Sequence, residues 1–484
     1  MATLEAVILA AGQGTRMQSS LPKVLHPLCG KPMLEHVVGL SIRLGATSPI
    51  VVTGHQAELV EGALPDWPLR YARQPELLGT AHAFLVAARR YQLGSAGQIL
   101  LMYGDTPLLT EWTLNALLAA HRRQGGGLVL LSAELADPHG YGRVVRSGQE
   151  VLAVVEEKDA SPEQRQLREV NSGVYAMDGR AAALAEKIPP SPVSGEYYLT
   201  ELIAQYRSAG LPVSALAVSD PEEIMGANDR AQLATAARVM RRRINRRHLL
   251  AGVTLIDPEA TYIDDGVQIG RDSLIGPGAL LLGRTEIGEG CQIGAYSQLK
   301  DCYLADRAAV ASHSNLEGAT LAEGASAGPF ARLRPGSQLD QGVQVGNFVE
   351  VKNARLGQGT KAGHLAYLGD AQIGREVNIG AGTIFANFNG LKKSETRVGD
   401  GAFIGSNAVL IAPLLVGRGA MVAAGSTIYQ DVPEGSLAIA RQRQQNLADR
   451  ARKFWSAHRG ELAAKHPVLL AWLEHTEKEV PLER

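Results

Sequence analysis

From about residue 252 onward an aliphatic residue followed by glycine recurs on a period of about six: Ile269-Gly270, Ile275-Gly276, Ile287-Gly288 and Ile293-Gly294. The pattern resumes as Val345-Gly346, Leu356-Gly357, Leu368-Gly369, Ile373-Gly374 and Ile379-Gly380, and closes with Val398-Gly399, Ile404-Gly405 and Val416-Gly417. One apolar residue in six matches neither the 3.6-residue period of an amphipathic helix nor the alternation of a half-buried strand. It fits a parallel β-helix: each six-residue side turns one aliphatic side chain inward, three sides close a coil, and coils stack into a prism cored by a ladder of Ile, Val and Leu. The small residue that follows is expected to fit the tight corner. The pattern lapses near Leu304–Thr320 and Phe385–Thr396, which are expected to be loop insertions. The repeat also explains why the chain holds 53 glycines and only 5% aromatic residues.

Residues 1–228 read differently. Apolar strands (Ala6–Leu9, Pro49–Val52, Gln98–Met102, Gly127–Ser132, Val170–Ala176) alternate with helical segments (Pro32–Arg43, Ala81–Tyr91, Glu111–Arg123). This is the α/β pattern of a mostly parallel, Rossmann-like sheet, whose ligands sit beyond the carboxyl ends of the strands. Residues 229–250 form one long helix carrying Arg241, Arg242, Arg243, Arg246 and Arg247. No aromatic residues interleave for base stacking, so it reads as the solvated face of a linker rather than a nucleic-acid patch. Four parts follow: an α/β domain (1–228), the linker helix (229–250), the β-helix (251–441) and a tail (442–484). In the tail Phe454, Trp455, Leu462, Val468, Leu469, Leu470, Trp472 and Leu473 lie on helical spacing, interrupted at Pro467. A helical cap on the open end of the solenoid is expected there, with a partner surface as the alternative.

At 484 residues more than one core is expected. A net charge of −1 supplies no field for nucleic acid, and no apolar run is long enough to span a membrane. Three cysteines make neither a metal spacing nor an even disulfide framework, and no secretory leader is visible, so a cytoplasmic location is expected.

The first strand runs into Leu9-Ala10-Ala11-Gly12-Gln13-Gly14-Thr15-Arg16-Met17, with Leu21-Pro22-Lys23 just after. Gly12 and Gly14 let the backbone N–H groups close on an anion, and Arg16 and Lys23 bring positive charge to the same mouth. The loop lacks the Gly-Lys-Ser/Thr ending of a Walker A loop and the third glycine of a dinucleotide fingerprint. Asp105 follows an apolar strand and is placed to ligate magnesium, a hard cation content with one or two protein oxygens. Asn228, taken alone, reads as a helix N-cap. In the repeat, His364 stands as a candidate base for an amine. Arg334, Lys352, Tyr367 and Asn378 lie near multiples of one coil from one another, and so are expected on one face beside it. Glu350 is a candidate to orient His364.

The run L-A-A-G-x-G-T-R-M…L-P-K resembles the sugar-1-phosphate nucleotidylyltransferases, and the hexapeptides resemble the left-handed β-helix acyltransferases. Over residues 4–445 the chain is similar to the bifunctional N-acetylglucosamine-1-phosphate uridyltransferase/glucosamine-1-phosphate acetyltransferase family. The resemblance implies magnesium on Asp105 and Asn228, phosphates against Arg16 and Lys23, and nucleotide contacts from Leu9, Ala10 and Gly12. It implies a uracil loop at Gln74–His82 using Gln74, Gly79 and Thr80, with Gln74 both donating to and accepting from the base. Tyr103, Gly142, Glu156 and Asn171 would meet the sugar. In the second half it implies His364 as base, Arg334, Lys352, Tyr367 and Asn378 on glucosamine-1-phosphate, and Ala381, Asn387, Phe388, Ser406, Ala424 and Arg441 on acetyl-coenzyme A. It further implies a homotrimer in which Arg441, Ser406 and Ala424 serve a neighbour's site, with UTP as the second substrate and UDP-N-acetylglucosamine for peptidoglycan and lipopolysaccharide as the product. One departure is visible: Asn387-Phe388-Asn389-Gly390 stands where the family has Asn-Tyr-Asp-Gly. Two other readings are a monofunctional nucleotidylyltransferase with a scaffold β-helix, which would not need His364 with its cations, and a non-enzymatic exchange-factor scaffold, which would not need Arg16, Lys23 and Asp105.

Overall fold

A computed structural model describes residues 4–479. The N-terminal half is a twisted sheet whose main strands run, edge to edge, Val213–Ala217, Leu128–Glu134, Glu169–Met177, Gln98–Tyr103, Leu4–Leu9, Ile50–Thr53 and Arg70–Arg73. All pair in parallel except Glu169–Met177, which is antiparallel to both neighbours. Side chains alternate across each strand, so Val7 and Leu9 pack with Phe84 and Ala87 on one face while Ile8 and Ala10 pack with Leu34, Val37 and Leu114 on the other. Both faces are covered by helices, which is why these strands read as unbroken apolar runs. The expected helices are present as Met33–Arg43, Thr80–Arg90 and Glu111–Arg123.

The C-terminal half is a three-sided parallel β-helix of the left-handed hexapeptide type. One interior ladder shows the stacking: Ile275, Ile293, Val310, Ala327, Val345, Ala362, Ile379, Ile404 and Val422 are aligned partner to partner. All of them belong to one continuous buried core. Coils repeat after 17 or 18 residues. The glycine of each dyad serves close approach between coils: a Cβ on Gly276 would lie 2.5 Å from the backbone nitrogen of Ala295 in the next coil.

Of the two expected insertions, one exists. Across Phe385–Thr396 the coil spacing grows to 25 residues, and the loop carries Leu391 out into solvent at 95% exposure. Leu304–Thr320 contains no insertion. Leu304, Val310, Leu316 and Leu321 continue the core without interruption. The repeat is hidden there because Ala305 and Ala311 replace the dyad glycine and the coils are one residue shorter.

The linker helix spans Arg230–Leu250. Arg242, Arg246 and Arg247 are exposed as expected of a solvated face, but most of the arginines are also tethered. Arg242 and Arg243 pair with Glu222 and Asp220, Arg247 pairs with Asp265, and Arg241 lies 4.5 Å over the ring of Tyr262. Ala236 and Val239 pack on Leu28, Met33 and Leu108 of the α/β domain, while Ile244 joins the β-helix core. The helix is therefore clamped to both halves.

The tail forms helices at Arg450–Ala457, Arg459–Lys465 and Pro467–Glu479. They pack on one another rather than capping the solenoid, and their buried Leu462 and Leu473 lie outside the β-helix core. Residues 441–449 between them and the last coil are exposed throughout. No helix among the described residues is long and apolar enough to cross a membrane.

Candidate active sites

The carboxyl ends of Leu4–Leu9, Arg70–Arg73 and Gln98–Tyr103 open into one cleft. Leu9, Ala10, Gly12, Lys23, Gln74, Gly79, Thr80, Tyr103 and Asp105 line it, and Gly14, Arg16 and Asn228 continue it at the mouth. Gly12 is needed by neither packing nor backbone sign: a Cβ there would meet nothing within 4 Å, so its bareness keeps the cleft open. Gly79 is fixed by structure instead, with φ +106 and a Cβ position 2.6 Å from the carbonyl oxygen of Tyr197.

At the mouth Lys23 Nζ donates to Asp105 Oδ2 and, at 3.1 Å, to Asn228 Oδ1. One carboxylate and one amide oxygen thus converge on a point already holding a cation. That donor set fits a small hard dication that keeps water and phosphate oxygens as its other ligands. No cluster of three or more acidic, histidine or cysteine side chains exists among the described residues. Asn228 is not the helix cap: Asp229 fills that role by accepting from the Gln232 N–H at 2.8 Å. The asparagine side chain is thereby free to face Lys23.

In the loop expected to meet uracil, Gln74 Nε2 donates to the Gly79 oxygen at 3.1 Å and lies 3.0 Å from His82 Nδ1, which in turn lies 3.1 Å from the Glu76 oxygen. Among the residues expected to meet the sugar, Gly142 backs onto Glu156, and Asn171 hangs from Gly142 by a 2.9 Å backbone bond. A register shift between Asn171 and Tyr175 turns that strand end, and Asn171 Nδ2 donates to the Tyr175 hydroxyl at 2.7 Å. Burial raises the Glu156 carboxyl above the usual range, opposed by a hydrogen bond from Thr200 at 3.1 Å. Burial and the nearby Glu156 likewise raise the Tyr103 phenol. Sequence reasoning missed Thr200 and Glu196, the latter a carboxylate at the cleft mouth. Both come from a distant segment, Glu196 just before and Thr200 within the short 3-10 helix Leu199–Glu201.

On the β-helix, His364 sits at an exposed corner directly above Asn347 and directly below Ala381, Ser406 and Ala424 in consecutive coils. Ser406 and Ala424 thus continue the edge of His364 in its own chain. Arg334 and Lys352 stack at the next corner, and Tyr367 lies on the side between, in register with Glu350. Asn378 departs from the expected common face. It pairs with Lys361 on the preceding side of the prism. Glu350 does not orient His364: its carboxylate accepts from Arg334 at 3.0 Å, and the partner of His364 is Asn347 Oδ1, 2.6 Å from Nδ1.

The insertion supplies Lys393, also missed from sequence. Lys352 beside it lowers its ammonium, so two cations crowd one spot as an anion would require. Asn387 Nδ2 donates to Asp370 at 2.5 Å, and although burial opposes it, bonds from Asn353 and Asn387 hold the Asp370 carboxyl below the usual range. In the departing tetrapeptide, Asn389 Oδ1 accepts from the N–H groups of Leu391 and Lys392 at 3.0 and 2.9 Å, so the amide closes the turn without a carboxylate. Phe388 is exposed, and Arg441 lies on the exposed exit beyond the last coil.

The fold and its two sites define a nucleotidyltransferase domain joined to a hexapeptide acyltransferase domain. Residues 6–172 match the MobA-like NTP transferase domain, and residues 395–430 match the hexapeptide repeat of succinyl-transferase. Proteins described as bifunctional protein GlmU align over nearly the whole length. That of Thermus thermophilus is 52% identical over 91% of this chain and 97% of its own, that of Pelobacter propionicus 48% over 92% and 97%, and that of Brevibacillus brevis 48% over 94% and 98%. The chain belongs to the GlmU family of bifunctional proteins.

Proposed function

We propose that the chain makes UDP-N-acetylglucosamine in two steps at two sites. In the β-helix, His364 takes a proton from the ammonium of glucosamine-1-phosphate. The freed nitrogen attacks the thioester carbonyl of acetyl-coenzyme A, and the coenzyme leaves as the thiol. Arg334, Lys352 and Tyr367 hold the sugar phosphate, with Ala381, Asn387, Phe388, Ser406 and Ala424 along the coenzyme. In the α/β domain, N-acetylglucosamine-1-phosphate attacks the α-phosphorus of UTP and pyrophosphate departs. The nucleophile is already an anion, so the chain's task is positioning and neutralisation. Arg16, Lys23 and the Gly12–Gly14 backbone face the triphosphate, Gln74 meets the base, and Tyr103, Gly142, Glu156 and Asn171 bind the sugar. Asp105 and Asn228 are the residues that would hold Mg²⁺, which supplies charge neutralisation on the phosphates when bound.

The observation that carries this reading is the convergence of Lys23, Asp105 and Asn228, 82 and 205 residues apart, at the mouth of the glycine loop. The test supplies glucosamine-1-phosphate, acetyl-coenzyme A, UTP and Mg²⁺ and measures UDP-N-acetylglucosamine and pyrophosphate, omitting each reagent in turn. Pyrophosphate release that ignores Mg²⁺, or no acetylated sugar, would overturn it.

The same reading makes the protein a cytoplasmic homotrimer. Four exposed rings, Tyr296, His313, Phe330 and Phe348, stack at 5.1 to 5.3 Å up one edge of the prism, which supports an edge covered by another copy. The separate side occupied by Asn378 and the exposed exit at Arg441 support a site shared across copies. Co-expressing a His364→Ala chain with one ending before Arg441 should restore some acetylation in mixed assemblies. Monomers on sizing, or inactive mixed trimers, would count against it.

A further inference from the structure

We infer that Asn347 is the positioning residue of acetyl transfer: its side-chain oxygen keeps the proton of His364 on Nδ1 and leaves Nε2 as the basic atom. This rests on the reading of His364 as the base. The two residues are exact register partners on adjacent strands, Gln344–Asn347 and Lys361–His364, and Asn347 Oδ1 lies 2.6 Å from His364 Nδ1. A carboxamide oxygen only accepts, so the bond requires the hydrogen on Nδ1. Neutral imidazole has one hydrogen to place, and Nε2 is then the lone pair. At an exposed corner water alone would not select between the two forms.

The chemistry of the partner matters as much as its position. A carboxylate there would favour imidazolium, which cannot act as a base; a neutral amide orients without that penalty. The one carboxylate that sequence nominated, Glu350, is held by Arg334. The strands paired with that of His364, Gln344–Asn347 and Asn378–Ile379, carry no ionisable side chain, and Lys361 is the only other one on its own strand. Tyr367 and Asp370 follow on the next strand, with Asp370 bonded to Asn353 and Asn387.

The test compares Asn347→Leu and Asn347→Asp in the full-length protein, each with acetyl transfer, uridylyl transfer and thermal unfolding measured. Asn347→Leu keeps the shape and removes the acceptor. Its kcat for acetylation should fall about 10- to 100-fold, the range for an outer orienting partner, with KM for both substrates within about twofold. Asn347→Asp presents an oxygen in either orientation and adds a charge. It should keep the tautomer but move the acid limb of the pH profile up by about one unit or more, so activity is reduced at pH 7 and recovers toward alkaline pH. Uridylyl transfer should stay unchanged in both. Wild-type acetylation kinetics in Asn347→Leu, or equal losses in both variants with an unshifted profile, would overturn the inference. His364→Ala separates the two levels: if it acetylates normally the base reading itself falls, whereas a dead His364→Ala beside a normal Asn347→Leu removes only the role of Asn347.

Discussion

In the α/β half, Lys23 meets Asp105 and Asn228 across 82 and 205 residues of sequence; in the β-helix, His364 meets Asn347 across 17. The first encounter depends on a whole sheet, on the helix that delivers Asn228, and on a loop. The second depends on one coil repeating the last. A site of the first kind is a partly buried cleft in which single groups are irreplaceable. One of the second kind is an exposed edge on which function is spread along a column. Losses should therefore be steep and local in the former, and graded along the column in the latter.

Asp105→Asn is the sharpest probe of the cleft. Uridylyl transfer should fall about a thousandfold, on the scale of several kcal/mol of charge stabilisation, while acetylation stays at the wild-type rate. A coupled pyrophosphate assay against a Mg²⁺ titration checks this, and an unaltered Mg²⁺ requirement would remove Asp105 from the ligand set. On the other half, His364→Ala should lower acetylation about a hundredfold or more, recovering in part at high pH as free amine becomes abundant. Uridylyl transfer by that variant should be intact, so a loss of both activities would break the division between the halves.

A third experiment concerns where the cleft domain ends. A fragment stopping at residue 228 removes Ala236 and Val239 from Leu28, Met33 and Leu108, and removes Arg230, whose guanidinium bonds the Met17 carbonyl at the base of the glycine loop. It should unfold roughly 5–10 °C below a fragment ending at 250 and turn over UTP more slowly. Equal melting of the two in calorimetry would show that the linker helix serves the β-helix alone. The smallest effect is expected at Glu156. Its carboxyl is raised by burial, so it protonates at a higher pH than an exposed glutamate as the solution is acidified. If it accepts a sugar hydroxyl as the carboxylate, KM for N-acetylglucosamine-1-phosphate should rise a few-fold on that acid side, and the rise should vanish in Glu156→Gln.

The same contrast governed what could be read from the chain. Ile275 and Ile293 announce their own contact because the period is the structure. The column from His364 to Ala424 follows from counting coils, and so, in retrospect, does Asn347. Counting failed where alanine stood for the dyad glycine at Ala305 and Ala311, and it put Asn378 on the wrong side because sides change every few residues within a coil. In the cleft, motifs marked Gly12, Arg16, Lys23 and Asp105. Glu196 and Thr200 had no such mark, since a segment that reaches the site from far along the chain leaves no spacing to read. The cap expected of the tail failed for a related reason: helical periodicity tells that an apolar stripe will be buried, and the three helices bury theirs on one another.

The edge that carries His364, Ala381, Ser406 and Ala424 is graduated like a ruler. Adjacent strands of a parallel stack stand about 4.8 Å apart, so the reach from the histidine to the last of these positions is about 14 Å and is set by backbone hydrogen bonds rather than by side-chain size. Point substitutions along it can change what is gripped but not how long the gripped molecule must be. Only the gain or loss of an entire turn would do that, and a shorter slip would rotate every later side chain off the edge.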